Sequence, residues 1–177
     1  MGPFPHDAPK STITPENPAG TDGFEFVEFA SPDPQALRDV FTKMGYAHVA
    51  NYKNKKIELW QQGDITYVLN YDPDSFAARF VDEHGPCAPS MGWRVVDAQK
   101  ALDHAVAKGA EEYKGDGKVL DVPAIMGIGG SLIYFVDQYY DTSPYNWEYD
   151  WIATSKPEGV GFYYLDHLTH NVHKGNM

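Results

Sequence analysis

The sequence predicts an α+β fold in which two βαβββ modules form a half-open, eight-stranded mixed or antiparallel barrel with its helices outside. Three observations predict it. Two helix patterns carry the same start and stop signals 64 residues apart, Asp33 and Asp97 as N-caps and Gly45 and Gly109 as stops. Each pattern follows a strand-like run and precedes further extended segments. At the same offset Tyr67-Val68-Leu69 falls on Ser131-Leu132-Ile133, which places the last strands of the two units in correspondence.

The elements follow in order. Residues 1–22 hold Pro3, Pro5, Pro9, Pro15 and Pro18 with almost no periodic apolar pattern, so they read as a flexible tail without a core of its own. Phe24-Glu25-Phe26-Val27-Glu28-Phe29 is the first strand. Asp33-Pro34 supplies a cap and a proline at the first helical position, and Leu37, Val40, Phe41 and Met44 make one apolar stripe. Extended segments run over 46–52, 57–61 and 65–71, with Gly63-Asp64 as the hairpin between the last two. A short helix over 74–83 ends at His84-Gly85-Pro86, closing a first module of 23–86. The second module, 87–160, opens with a strand over 91–96. Its helix is striped by Ala98, Ala101, Leu102, Ala105 and Val106, and 131–136 is its final strand. Tyr145, Trp147, Tyr149 and Trp151 alternate with polar residues, and period two places all four on one face of a strand, suited to core or subunit-interface packing.

Bulk properties narrow the function. A formal charge of −11 makes nucleic acid and anionic membranes poor partners. The single cysteine, Cys87, excludes an internal disulfide and fits a reducing compartment, and no run suits a signal peptide or a membrane span; a cytoplasmic protein is expected. There is no Gly-x-Ser-x-Gly elbow and no Gly-Lys-Ser/Thr phosphate loop, so hydrolase and nucleotide-binding readings drop out.

Chemistry gathers in Asp166-His167-Leu168-Thr169-His170-Asn171-Val172-His173. Residue types favour extension here. On a strand His167 and His170 face opposite ways, while His173 lies about 20 Å beyond His167, so at most one of the three serves a given ion. One imidazole does not hold a catalytic metal. Residues 161–177 therefore read as the first strand of a second domain, and the chain as the front part of a longer metalloenzyme.

Four segments carry a resemblance: Gly23 to Pro32, Glu83-His84-Gly85-Pro86, Val122 to Gly130, and Leu165 to Val172. In order and spacing they resemble bacterial 4-hydroxyphenylpyruvate dioxygenase, of the vicinal oxygen chelate superfamily, over residues 23–177. The resemblance implies a non-catalytic first barrel over 23–160 and an iron-binding second one. His167 then corresponds to the first of two histidine ligands that, with one carboxylate, hold Fe(II) and leave three positions open. It implies a 2-oxo acid, 4-hydroxyphenylpyruvate, and O₂ as reactants, homogentisate and CO₂ as products, and a homo-oligomer. Glu25 and Ser90 align with His167 in the two earlier modules; neither completes an iron site, and Glu25 is expected to be satisfied inside or at the mouth of the barrel. Adjacent Asp166 is expected to point away from His167. With one of three ligands, this stretch alone is expected to be inactive. Hydroxymandelate synthase and a stand-alone, metal-free binding module are the other readings.

Overall fold

The computed structural model describes residues 9–155, 157–169, 172, 174 and 175. Strands β1 (Thr21–Ala30), β2 (Ala47–Tyr52), β3 (Ile57–Gln62) and β4 (Ile65–Asn70) with helix α1 (Pro34–Lys43) make the first module. Helix α2 (Phe76–His84) leads to the second, formed by β5 (Cys87–Val95), α3 (Ala98–Ala107), β6 (Ala124–Met126) and β7 (Leu132–Val136). The turn α4 (Tyr145–Glu148) and strand β8 (Tyr149–Trp151) complete the set.

All eight strands belong to one mixed sheet in the order β6-β7-β5-β1-β4-β3-β2-β8. The parallel pairs are β1 with β4 and β5 with β7; β1 and β5 join the modules antiparallel at the centre. One apolar cluster contains Phe26 of β1 and Val68 of β4 from the middle of the sheet together with Ala124 of β6 and Tyr149 of β8, its two edge strands. Only a sheet curled around that cluster brings its edges to a common core, which is the half-open barrel expected. Outside it, Phe41 of α1 packs on Phe29, Trp60 and Leu69, and Ala101 and Leu102 of α3 pack on Val95 and Phe135.

The local signals behave as expected at the helix starts. Asp33 accepts from the amides of Gln35 and Ala36, and Asp97 from that of Lys100. The stripes are narrower than predicted: Phe41 is buried, but Val40, Met44 and Val106 are exposed. Arg38 instead turns inward and donates from Nε and Nη2 to the Glu58 carboxylate of β3.

Four expectations change. Val27 pairs with Tyr67 and Met91 with Ile133, so the last strands correspond at a spacing two residues longer than the helices, and the second module carries a two-residue insertion. That module is also less regular; where the first has β2, it keeps only a single bridge from Glu112 to Ile125, and the eighth strand comes from β8 instead. The strand expected over 145–151 forms only over its last three residues. Pro144 opens a helical turn in which Glu148 N–H donates to the Pro144 carbonyl, so Tyr145 and Tyr149, one turn apart, are buried edge to face while Trp147 and Trp151 are exposed. The strand expected over 161–177 is not formed among the described residues of that stretch, where no neighbouring strand offers it a ladder.

The proline-rich arm is fastened from Ser11 onward. Asn17 bonds Ser11 and the backbone and hydroxyl of Thr21, and Asp22 accepts from the Ser11 amide and the Tyr139 hydroxyl.

At the central seam Gly92 faces Phe26: a methyl group there would stand 2.4 Å from the buried ring. Gly92→Ala is therefore expected to destabilise the fold by about 1–3 kcal/mol through overpacking, measured as a lower urea midpoint with an unchanged slope.

Candidate functional site

Three places collect functional side chains. The first is the barrel interior. Glu28 of β1 is 1% exposed, and its carboxylate accepts from Asn70 Nδ2 of β4 at 2.7 Å and from the Ser90 hydroxyl of β5. Tyr134 of β7 stands beside them, its hydroxyl accepting from the Val119 amide. So the central strands of both modules place polar groups at one interior point, and these groups satisfy one another. Burial pushes the Glu28 carboxyl above its ordinary value of 4.5, against the opposing effect of the hydrogen bonds from Ser90 and Asn70 and of Lys55.

The second place is the barrel mouth. A bulge between Phe24 and Phe26 turns Glu25 toward Arg94 of β5, whose Nε donates to it at 2.6 Å. Arg94 also donates to the Tyr140 hydroxyl and lies over that ring, 4.7 Å from its centre. Tyr140 has φ 57, a left-handed conformation rare for an aromatic residue. These groups border a cavity of about 420 Å³ with Asp64, Tyr145 and Trp151. Glu25 is satisfied at the mouth, as expected. Glu25 and Ser90 do not meet; Ser90's partner is Glu28, a residue the sequence pattern does not single out because its contacts come from strands far along the chain.

The third place is the segment after β8. The chain from Pro157 to Tyr163 lies across the β3–β4 hairpin: the Gly63 amide donates to the Pro157 carbonyl and the Asp64 amide to that of Tyr163. Beyond it His167 is exposed, and its Nδ1 lies 2.7 Å from Asp166 Oδ2. The expectation that Asp166 points away rested on strand alternation, and without a strand the two neighbours meet. In the tautomer that carries its proton on Nδ1, the ring donates to the carboxylate and Nε2 keeps its lone pair. His170 and His173 lie outside the described residues. Among the described residues no three His, Cys, Asp or Glu side chains are grouped to hold a metal. Cys87 is half-buried at the start of β5, and burial, with Glu28 nearby, pushes its thiol up, away from the thiolate form.

The family of proteins described as "Hydroxyphenylpyruvate dioxygenase, HPPD, N-terminal" matches residues 15–151, which are the barrel just described. This chain belongs to that family. The match takes in both modules and the Glu28, Asn70 and Ser90 cluster, and it stops before the His167 segment. Hemolysin VllY of Vibrio vulnificus is 46% identical over 170 residues, 91% of this chain and 48% of that protein. A 4-hydroxyphenylpyruvate dioxygenase of Pseudomonas aeruginosa is 42% identical over 173 residues, 93% of this chain and 48% of that one. The chain spans about half the length of the curated relatives it matches. Among solved structures, a xylose isomerase-like TIM barrel/4-hydroxyphenylpyruvate dioxygenase fusion protein superposes with a TM-score of 0.70 at 31% identity, over 85% of this chain and 23% of that one. The fold is thus the vicinal oxygen chelate fold. No described helix is long and apolar enough to cross a membrane.

The raised Glu28 carboxyl gives a test of the interior cluster. Folding favours its neutral form, so its contribution to stability is full below about pH 4.5 and declines as pH rises through the folded-state pKa. Glu28→Gln mimics the neutral acid, with its carbonyl toward Asn70 and its amide toward Ser90. The variant is expected to be more stable than the parent at pH 8, with the gain shrinking toward pH 4 in urea titrations at the two pH values.

Proposed function

We propose that this chain is the N-terminal portion of an Fe(II)-dependent 4-hydroxyphenylpyruvate dioxygenase, which converts 4-hydroxyphenylpyruvate and O₂ to homogentisate and CO₂. The observation that carries the reading is family membership of the whole barrel, combined with 42% identity to a named 4-hydroxyphenylpyruvate dioxygenase of which the chain spans about half. The buried Glu28, Asn70 and Ser90 side chains are occupied with one another, which suits a structural and assembly role and leaves catalysis to the remainder of the enzyme.

This chain's contribution to the chemistry is His167. Asp166 lies against Nδ1, and in the tautomer with Nδ1–H donating to it Nε2 is free to coordinate. When bound, iron supplies open positions for the keto acid and O₂, and the electrons come from the keto acid. One ligand does not retain the metal, so the isolated 177-residue stretch is inactive. Exposed Trp147 and Trp151 fit subunit contacts in a homo-oligomer, and the lone half-buried cysteine fits the cytoplasm.

In the full-length enzyme His167→Ala is expected to abolish iron-dependent O₂ uptake while the melting of the first barrel stays unchanged. Parent-like O₂ uptake by that variant would remove His167 from the ligand set. Absence of homogentisate from the full-length parent supplied with Fe(II) and the keto acid would overturn the assignment as a whole.

A further inference from the structure

Gln62, the last residue of β3, is completely buried although its side chain is polar. Its Nε2 donates to the Met44 carbonyl at 2.9 Å, and its Oε1 accepts from the Val160 amide at 2.6 Å and more loosely from that of Phe162 at 3.4 Å. Two N–H donors at one end and a carbonyl at the other fix the orientation of the amide chemically. One side chain thus ties the end of α1, the β3–β4 hairpin and the segment leading to His167. The backbone bonds at Gly63 and Asp64 flank it on the hairpin side.

Two features distinguish this clamp from ordinary packing. The segment is held by its backbone, for the side chains of Val160, Phe162 and Tyr163 are 68%, 52% and 60% exposed. It also lies at the closest possible approach. A methyl group on Gly63 would stand 2.3 Å from Tyr163 Cα, and one on Gly159, whose φ is 62, would stand 2.3 Å from Gln62 Oε1. Little apolar burial holds the segment down, so the hydrogen bonds decide its path.

We infer that Gln62 is a positioning residue, which fixes the path of residues 157–163 on the first barrel and thereby sets where His167, five residues past Phe162, stands. The iron part of this inference rests on the proposed function; the clamp itself does not. A barrel without a metal of its own would then contribute to the iron site by locating the chain that carries a ligand.

The test uses the full-length protein with Gln62→Met, which keeps the length and removes both polar ends. Hydrogen exchange is expected to become about tenfold faster at the Val160 and Phe162 amides, on the scale of one or two lost hydrogen bonds, with β1 and β5 unchanged. The Fe(II) concentration for half-maximal turnover is expected to rise several-fold while KM for the keto acid holds. Gly159→Ala displaces the segment from its own side without altering the barrel, and it is expected to give the same two changes even if Gln62→Met folds poorly. Unchanged exchange at Val160 in a folded variant overturns the clamp. Faster exchange with an unchanged iron requirement overturns the positioning role. A parent that shows no iron-dependent turnover overturns the proposed function, and the exchange result still decides whether the clamp exists.

Discussion

Strands β1 and β5 lie antiparallel at the centre of the sheet, with Val27 opposite Met91, and the rest of the molecule is arranged about that seam. These two residues occupy corresponding places in the two modules, so the pairing is where the internal repeat folds onto itself. Each strand then takes its own module's last strand as a parallel neighbour on the other side. The bare Gly92 lets the Phe26 ring cross the seam, and Glu28 reaches over it to Ser90 while holding Asn70 of β4. The barrel cannot open at this line without exposing a buried ring and taking from a buried carboxyl its Ser90 donor.

That geometry supports the proposed reading of the first barrel as a scaffold. Where the central strands of both modules converge, the Glu28 carboxyl accepts from Asn70 and Ser90, and the Tyr134 hydroxyl beside them accepts from the Val119 amide. A ligand would have to break these bonds. The polar groups at the mouth are likewise engaged, with Arg94 bridging Glu25 and Tyr140. The proposed function puts the chemistry outside the barrel, on a segment that Gln62 holds on the hairpin and in which His167 stands beside Asp166.

Much of this was legible in the residues. Asp33 and Asp97 cap their helices, because a short acceptor side chain satisfies amides two or three residues away and needs no tertiary partner. The module count and the place of the half-barrel followed from the spacing of those signals. Alternation misled in two places. Tyr145 to Trp151 alternate perfectly, yet Pro144 starts a helical turn and leaves only Tyr149–Trp151 to pair with β2. The histidine segment favours extension by composition, but a strand is a property of two chains, and the described residues there have no neighbour.

The sequence by itself determined the two repeated strand–helix–strand units, their caps and stops, the acidic surface and the candidate ligand His167, since each is written in residues close together along the chain. Only the tertiary structure decided which polar residues act together. Gln62 and Val160 are 98 residues apart and Glu28 and Ser90 are 62 apart, and no local pattern links them. Their contacts exist because the closing of the sheet carries them to the same place, where burial makes each unpaired polar group costly and so selects a single set of partners.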